Sequence, residues 1–261
     1  ATSPQFFAAV GAWALAAVRR RPFVFELGDL WPASIVAVGA MADSPLIRGL
    51  EKLELFLYRR AAAVVALTHA FKADLMRRRI TADKIAVVIN GVDLWRYEPR
   101  PRDAALASQW GLAERFVVGY VGTHGMAHGL SNVLDAAERL RDRPEITFLL
   151  AGSGAERAGL IADARSRELS NVVFMEPQPK DKMPEVWSLC DVALVHLRDS
   201  PVFRDVIPSK IFEAMGMGLP ILMAAPTGEA SAILESEGAG LCVAPEDPDA
   251  LAEAVKLLHD D

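Results

Sequence analysis

The stretch "IPSKIFEAMGMGLPIL", residues 207–222, pairs a short helix with a buried strand, and this pairing decides the fold class. Pro208 suits the first turn of a helix, where its missing N–H leaves no hydrogen bond unmade. The glycines at 216 and 218 favour a helix end, and the proline at 220 prevents the helix from continuing. The stretch therefore predicts a helix over 208–217 and a strand over 219–224.

The same alternation of strands and helices runs through the rest of the chain. Short apolar runs rich in β-branched residues are separated by segments with helical spacing. The predicted strands are 23–27, 62–67, 84–89, 116–122, 146–152, 171–175, 191–197, 219–224 and 240–244. Apolar strands that alternate with helices form parallel sheets covered on both faces, so the sequence predicts an α/β fold.

A domain boundary is predicted where this alternation stops. Residues 95–114 hold two prolines and many charges, and no strand pattern. We therefore predict a first domain over 1–97, a linker over 98–114 and a second domain over 115–261. The second domain has enough strands for a nearly complete doubly wound sheet, whereas the first has too few.

Composition and charge narrow the range of partners. The chain has 261 residues, of which 52% are hydrophobic, and a net charge of −6. The first 100 residues carry 14 Lys/Arg and 9 Asp/Glu, a net of +5, so the remainder carries −11. This overall acidity argues against non-specific nucleic-acid binding.

Cys190 and Cys242 stand alone in apolar stretches, and we expect buried, reduced thiols in a cytosolic protein.

An uncharged run, "FFAAVGAWALAAV" at 6–18, precedes three arginines. Thirteen residues are too few to cross a bilayer as a helix, which needs about 20. A signal peptide would place its charges before the apolar run rather than after it. We expect a buried helix here, and the alternative is a helix that lies on a membrane surface.

Two strand-to-helix turns could bind an anion. In "GYVGTHGMAHGL", residues 119–130, Gly122, Gly125 and Gly129 allow close approach of the backbone and free its N–H groups. His124 and His128 could add hydrogen bonds. The alternative is a plain turn with two solvent-facing histidines.

The second candidate turn opens the helix predicted at 208–217. The N–H groups of Ser209, Lys210 and their neighbours, together with the helix dipole, favour an anion. Lys210 would supply a full charge for a diphosphate, and Glu213 on the same face could bind a ribose diol. The alternative is a capped helix with an ion pair. Asp205 lies just before this helix, where it could bind sugar hydroxyls or be a solvated loop acid.

Other chemistry has little support in the sequence. The glycine pair of "AGSGAERAGL", 151–160, has arginine where a dinucleotide fingerprint needs its third glycine, which favours a tight turn without a cofactor. The acidic run 246–249 precedes the last helix, which favours capping over metal binding. His124 and His128 have no accompanying carboxylate or cysteine, so a zinc site is disfavoured. Signatures of serine nucleophiles and of the Walker A lysine are missing.

Taken together, three motifs resemble those of family-4 glycosyltransferases of the GT-B fold. They are "VVINGVD" at 87–93, "GYVGTHGMAHGL" at 119–130 and "PSKIFEAMGMGLPIL" at 208–222. The opening and the segment "RRRPFVFELGDLWPASI" at 19–35 are similar to a bacterial subgroup that builds surface polysaccharides, including the fucosamine transferases. The resemblance implies two Rossmann-like doubly wound domains facing across a cleft, the first one incomplete in this chain.

The resemblance also implies roles for individual residues. Ser209 and Lys210 would bind the donor diphosphate, and Glu213 the ribose hydroxyls. Lys210, Asp205 and Asp29 would be catalytic, with Asp205 where many members carry the first glutamate of a Glu-x7-Glu pair. The turn that faces the diphosphate would contribute Gly122, Thr123, His124, Gly125 and His128. Where many members have arginine and lysine, this chain has Thr123 and His128, so His128 would be a weaker, pH-dependent substitute.

The function that the resemblance implies is retaining sugar transfer from a nucleotide-sugar, expected to be a UDP-sugar, without a metal or another cofactor. The acceptor would be a saccharide or a lipid-linked saccharide, and the location cytoplasmic, with peripheral association at the inner face of the membrane. Two alternatives remain. One is a UDP-sugar epimerase of the same fold, and the other is a donor-binding module without turnover.

Overall fold

The computed structural model describes residues 1–3, 5–42 and 44–261, which form two compact units. The first unit comprises Ala1–Asn90 with Ser200–Ile207, and the second comprises Gly91–Asp199 with Pro208–Asp261. The segment Ser200–Ile207 lies within the predicted second domain in sequence, yet it groups with the first unit.

The first unit contains a small parallel sheet in the order β1-β2-β3. Its strands are β1 (Val24–Leu27), β2 (Ala63–Ala66) and β3 (Ile85–Val87). Its helices are α1 (Phe6–Val18), α2 (Ala33–Ala37), α3 (Pro45–Arg60) and α4 (His69–Arg77). Thr68 caps α4, because its hydroxyl accepts a hydrogen bond of 3.0 Å from the Phe71 N–H.

Helix α1 does not match the prediction of a buried helix. Phe6 and Ala9 are its buried residues, whereas Phe7, Leu15 and Val18 are 70%, 59% and 82% exposed. The reason is that the apolar run extends around the whole helix, while the buried side of α1 packs against α3 and the neighbouring core. A helix that is apolar all round therefore leaves a hydrophobic stripe in solvent.

The second unit contains a six-stranded parallel sheet in the order β6-β5-β4-β7-β8-β9. Its strands are β4 (Phe116–Val121), β5 (Ile146–Ala151), β6 (Val172–Met175), β7 (Val192–His196), β8 (Ile221–Ala224) and β9 (Gly240–Val243). Every residue of β5, β7 and β8 is buried, so side chains on both faces of the sheet are covered. The predicted parallel α/β sheet is confirmed.

Helices alternate with these strands along the chain. They are α5 (Ala104–Gln109), α6 (Ser131–Arg139), α7 (Arg157–Ser166), α8 (Met183–Trp187), α9 (Lys210–Gly216), α10 (Glu229–Glu237) and α11 (Pro248–Asp260). Helix α9 begins two residues later than predicted. Its end follows the prediction, because Gly218 adopts φ +71° and its N–H bonds to the Met215 carbonyl at 3.0 Å.

The two cysteines differ in burial. Cys190 is buried as expected, and its sulfur lies where a side chain on Gly119 of β4 would have to be. Cys242 is exposed, so its predicted burial is wrong. The reason is its position on β9, which is an edge strand of the sheet.

The strand order brings the two candidate turns together. Strands β4 and β7 are paired in parallel, with Val118 opposite Val192 and Gly119 opposite Ala193. The segments that follow them therefore leave from the same edge of the sheet, where parallel α/β sheets bind ligands. Residues 122–129 follow β4, and α9 begins after the segment that follows β7.

Candidate functional site

The candidate site forms around the ammonium group of Lys210, the first residue of α9. Lys210 is partly exposed as a residue, but its Nζ is buried and lies 3.6 Å from the centroid of the Tyr120 ring. A Cβ atom on Gly122 would stand 3.2 Å from this Nζ. The turns at 122–129 and 208–213 therefore meet, as binding of one diphosphate by both would require.

Gly122 is required where it stands for two reasons. Its φ of +145° is one that side-chain-bearing residues rarely adopt, and a Cβ there would crowd Lys210. The Gly122 N–H bonds to the carbonyl of Ala151 at 2.9 Å, which continues the pairing of β4 with β5 past the end of the strand. The glycine thus holds the turn close to the lysine.

The second glycine pair, at 152 and 154, supports the first turn. A Cβ on Gly152 would fall 1.9 Å from the Gly122 carbonyl oxygen, and one on Gly154 would fall 2.3 Å from that of His124. Only glycine allows the two turns to pack backbone against backbone. Close backbone packing therefore explains the glycines at 152 and 154, and no cofactor is needed to account for them.

A hydrogen-bonded link fixes the far end of the turn. His196, at the end of β7, lies 2.6 Å through Nδ1 from the His128 carbonyl oxygen, and its Nε2 lies 2.8 Å from the Asn132 amide nitrogen. A carbonyl can only accept, so Nδ1 carries the proton and Nε2 accepts from Asn132. Burial lowers the pKa of His196 to about 4, which agrees with a neutral ring.

The two histidines predicted to face the donor are also neutral near pH 7. His124 is 0% exposed, and burial, followed by the charges of Arg157 and Lys210, lowers its pKa to about 4. Burial and then Lys210 lower the pKa of His128 to about 4 as well. His128 is therefore neutral near pH 7 and does not supply the charge of a lysine at this position.

Several donors in this site have no acceptor among the residues that the structure describes. The buried donors of this kind are Lys210 Nζ, Arg157 Nε, Arg198 Nε and the one ring nitrogen of neutral His124 that carries a proton; the other ring nitrogen of His124 is an acceptor and is also without a partner. A buried polar group without a partner costs about 1–3 kcal/mol, and a charged one costs more. Burial accordingly lowers the pKa of Lys210 to about 7, and the charge of Glu213 offsets only part of this effect.

Backbone amides add to these donors, although fewer than predicted. The N–H groups of Ile211 and Phe212 bond to the carbonyls of Pro208 and Ser209 at 3.1 Å, because α9 begins with a tight turn. These neighbours of Lys210 are therefore not free, contrary to prediction. Within the described part of the chain, the amides of Thr123, Gly125, Ser209 and Lys210 have no hydrogen-bond acceptor.

Glu213 lies one turn into α9 and does not form the alternative ion pair with Lys210. Its Oε2 instead accepts a hydrogen bond of 3.0 Å from Nε1 of Trp187, at the end of α8. The charge of Glu213 still acts on Lys210, whose pKa it raises against the effect of burial. Lysine, carboxylate and indole are thus neighbours on one side of the second unit.

The other two predicted catalytic residues, Asp29 and Asp205, belong to the first unit. Asp29 Oδ2 accepts a hydrogen bond of 2.9 Å from the Ser34 hydroxyl, and burial raises the pKa of its carboxyl group. Asp205 ends a 3₁₀ helix, and its backbone carbonyl accepts from the Thr68 hydroxyl at 2.9 Å. Asp205 also lines a cavity of about 590 Å³ within this unit.

Residues 1–3, 5–42 and 44–261 contain no cluster of three or more side chains suited to bind a metal. The acidic run at 246–249 caps a helix as predicted. Asp247 Oδ1 accepts from the N–H groups of Asp249 and Ala250 at 3.1 and 2.9 Å, at the start of α11.

Four site residues were missed by sequence reasoning. Tyr120 and His196 were assigned only to strands, although a tyrosine or histidine at the carboxyl end of a buried strand is itself a signal. Arg157 was considered only because it stands where a dinucleotide fingerprint needs a glycine. Trp187 gave no signal, because an aromatic residue in an apolar helix looks like ordinary core.

Two family descriptions match the chain. Residues 115–261 match the family described as glycosyl transferases group 1, and residues 3–96 match the one described as glycosyltransferase family 4. These ranges include the Lys210 site and the first-unit cavity residues before 97, respectively.

Individual proteins agree with these matches. The D-inositol 3-phosphate glycosyltransferase of Nocardia farcinica is 32% identical over 189 residues, which are 69% of this chain and 40% of the relative. The candidate colanic acid biosynthesis glycosyl transferase WcaI of Escherichia coli K12 is 28% identical over 199 residues, 74% of this chain and 48% of the relative. The chain thus spans about half the length of the curated relatives it matches.

Solved structures show the same fold. The structure of Anabaena Alr3699/HepE in complex with UDP and glucose superimposes with a TM-score of 0.81 at 24% identity, over 98% of this chain and 67% of that one. WaaG, a glycosyltransferase involved in lipopolysaccharide biosynthesis, gives a TM-score of 0.71 at 18% identity, over 91% and 66%. The predicted GT-B type of α/β fold is confirmed, with less chain here than in those structures.

Proposed function

Because this chain belongs to the glycosyl transferases group 1 family, we propose that it takes part in sugar transfer from a nucleoside diphosphate-sugar to an acceptor hydroxyl. The observation that carries the proposal is the buried Lys210 Nζ, which has no hydrogen-bond partner in the described residues. A diphosphate would supply both the negative charge and the acceptor oxygens that this group lacks. The site's other unpaired donors favour the same ligand.

We assign the donor contacts by chemistry. Lys210, with the amides of Thr123, Gly125 and Ser209, would bind the diphosphate oxygens, and His124 and His128 would donate from neutral rings. Gly122 would allow close approach. Glu213 would accept hydrogen bonds from the ribose. When the glycosidic C–O bond breaks, the negative charge that develops on the diphosphate would be stabilised by these fixed donors.

The donor nucleotide is proposed to be UDP, which is the ligand in the related HepE complex. The WcaI name supports a role in surface polysaccharide synthesis. The resemblance of residues 19–35 to the subgroup that includes the fucosamine transferases supports the same role. On the basis of the family resemblance, we propose transfer with retention and without a metal. Transfer that persists in EDTA would support the last point.

A donor screen tests the assignment. In ligand-observed NMR we expect binding of UDP-glucose, UDP-N-acetylglucosamine or UDP-N-acetylfucosamine in preference to the GDP- and ADP-sugars. Lys210→Ala and Glu213→Ala should weaken binding. Lys182→Ala, which removes a surface lysine paired with Glu185, is the control and should not. Equal binding by Lys210→Ala and the unmodified chain would contradict the proposal.

The acceptor is proposed to be a saccharide or lipid-linked saccharide that binds the first unit. The cavity there is lined by apolar side chains and by charged ones, which suits sugar rings and hydroxyls. Its charged residues include Arg48, Glu51, Lys52 and Asp205. Asp205→Asn and Asp29→Asn should lower transfer while leaving UDP affinity within about twofold. A parallel loss of UDP affinity would contradict these roles.

The alternatives predict different products. An epimerase would convert UDP-N-acetylglucosamine with no acceptor present, whereas a transferase would leave it intact apart from slow hydrolysis. A binding module would hold UDP and form no product with any acceptor. Chromatography of reactions with and without an oligosaccharide acceptor separates the three.

Peripheral association with an anionic membrane surface at the cytoplasmic face is a second proposal. It rests on the exposed stripe of Phe7, Leu15 and Val18 on α1, which runs into the exposed Arg19–Arg21. Apolar and basic groups side by side favour anionic lipid. None of the helices in the described ranges has the length and hydrophobicity to cross a bilayer.

Vesicle pelleting tests the membrane proposal. We expect binding to vesicles containing phosphatidylglycerol, and loss of binding when Arg19–Arg21 are replaced by serine. The control replaces Arg77, Arg79 and Arg100, which are exposed elsewhere, and removes the same charge. Equal pelleting of the two triple variants would contradict a specific role for the α1 surface.

A further inference from the structure

Trp187 is the largest fully buried side chain of the protein's described residues, and it carries one polar atom. Its indole Nε1 donates a hydrogen bond of 3.0 Å to Oε2 of Glu213. The ring is 0% exposed, at the end of α8, whereas Glu213 is partly exposed on α9. The buried indole of Trp187 thus forms a hydrogen bond to one oxygen of the Glu213 carboxylate, which solvent can still reach.

A second aromatic residue limits the movement of the same helix. Tyr97 is 3% exposed, and its backbone oxygen and Cβ would lie 3.1 and 3.2 Å from a Cβ on Gly216, one turn beyond Glu213. Burial, followed by the charge of Glu213 and the approach of its carboxylate to the Tyr97 hydroxyl, raises the pKa of Tyr97 to about 12, although the two groups fall outside hydrogen-bonding geometry. The tyrosine therefore remains neutral and adds no competing charge.

The indole bond has a chemical consequence. A glutamate side chain has three rotatable bonds, and fixing one carboxylate oxygen removes most of that freedom before a ligand arrives. The indole can only donate, so it bonds to the carboxylate and leaves the other oxygen available as an acceptor. A ribose offers two neighbouring hydroxyl donors, whereas a deoxyribose offers one fewer.

We infer that Trp187 is a positioning residue that orients the Glu213 carboxylate for a vicinal diol, and so makes the site selective for ribonucleotides over deoxyribonucleotides. This inference rests on the proposed binding of a nucleotide-sugar at the same site. In this inference Trp187 does not contact the ligand itself, but it sets the specificity of Glu213, which does. A carboxylate oriented in advance discriminates more sharply, because a missing hydroxyl leaves its oxygen without a partner.

The test measures a preference rather than an affinity. Dissociation constants of UDP and 2′-deoxy-UDP are determined by calorimetry for the unmodified chain, Trp187→Phe and Glu213→Gln. Phe148→Leu, which alters a fully buried aromatic residue in the core beneath α6 and α11, is the matched control. A thermal melt of each variant records folding. Incorporation of 3-benzothienylalanine at 187 replaces the N–H by sulfur at nearly constant volume and covers the case in which Trp187→Phe unfolds.

We expect the preference for UDP over 2′-deoxy-UDP to fall about fivefold when the indole N–H is removed, as the loss of one ordinary hydrogen bond would predict. Glu213→Gln should reduce the preference at least as much, and Phe148→Leu should leave it unchanged. A general packing role for Trp187 would instead weaken both nucleotides equally.

The failures are distinguishable. If Glu213→Gln lowers the preference but the benzothienyl variant keeps it, the inference about Trp187 is overturned and nucleotide binding stands. If Glu213→Gln keeps the preference, the ribose role of Glu213 is wrong, and the inference falls with it. If the unmodified chain binds neither nucleotide, the proposed function itself fails.

Discussion

The protein buries charge in two ways, and the contrast separates structure from function. In the first unit, the Glu54 carboxylate is 2% exposed and is fully matched by the Tyr58 hydroxyl at 2.6 Å and by the Arg78 guanidinium. In the second unit, the Lys210 ammonium is also buried, and among the described residues it has no hydrogen-bond partner and lies over the face of the Tyr120 ring. The Glu54 carboxylate therefore finds its hydrogen-bond and charge partners within the chain and needs no ligand.

This difference teaches where to look for a binding site. A buried charge that is matched within the chain stabilises that chain's own arrangement, or at least does not oppose it. A buried charge that is unmatched opposes folding and is retained because something outside the chain completes it. The two sites should therefore respond oppositely to removal of their charge.

The largest effect is expected at the matched site. Glu54→Gln leaves the Arg78 charge without its main partner and should lower the free energy of unfolding by about 3 kcal/mol. Urea denaturation followed by circular dichroism measures this change. Glu51→Gln, on the same helix and partly exposed, is the control and should stay within about 0.5 kcal/mol of the unmodified chain. Equal effects would show that the Glu54 pair is not a structural element.

At the unmatched site, charge removal should have two effects of opposite sign. Lys210→Met keeps an apolar side chain of similar length over Tyr120, so the empty protein should gain about 1–3 kcal/mol of stability. UDP affinity should fall about 100-fold, because the charged partner of the diphosphate is lost. Thermal melts and calorimetry measure the two quantities. A variant that is both less stable and unchanged in affinity would place Lys210 among structural residues.

Gly122 lies at the point where the backbone of the 122–129 turn approaches the Lys210 ammonium. Gly122→Ala forces a side chain into a φ of +145° and against Lys210 Nζ, so we expect about 2 kcal/mol of destabilisation and about tenfold weaker UDP binding. The matched control is Gly159→Ala in α7, where no atom lies within 4 Å of the new Cβ. That change should instead stabilise the protein by about 0.5–1 kcal/mol.

The smallest predicted effect is a dependence of donor affinity on pH. The pKa of free Lys210 is lowered to about 7, and a bound diphosphate must raise it, so binding takes up a proton above pH 7. Affinity for a UDP-sugar should therefore fall about eightfold between pH 7.5 and 8.5, where the donor itself does not titrate. The neighbouring His124, His128 and His196, with pKa values of about 4, remain neutral throughout. In Lys210→Met the affinity should not change with pH.

Regular structure was predictable from the sequence because it depends on local pattern. Apolar runs bounded by glycine, proline and capping residues located all nine strands of the described chain, and the resemblance placed Lys210 and Gly122 in one site. Two features needed three-dimensional information. The exposed face of α1 depends on which elements pack against it. The exposure of Cys242 depends on strand order, which the pattern does not encode.

The electrostatics of the site could not be predicted at all. His128 was expected to carry part of a cation's role, yet its burial against Lys210 keeps the ring neutral. Likewise, spacing placed Lys210 and Glu213 on one face, but the carboxylate bonds to Trp187, which lies 26 residues away in sequence. Such effects depend on burial and on distant partners, and a linear pattern contains neither.

The most direct measurement is the titration of Lys210 itself, followed through its ¹⁵N-labelled side chain by NMR with and without a UDP-sugar. Our account predicts a pKa of about 7 for the free protein and a value raised toward that of ordinary lysine in the complex, with Lys182 as an internal reference. If the Lys210 pKa did not change when the nucleotide-sugar bound, the diphosphate would not be the missing partner of this group.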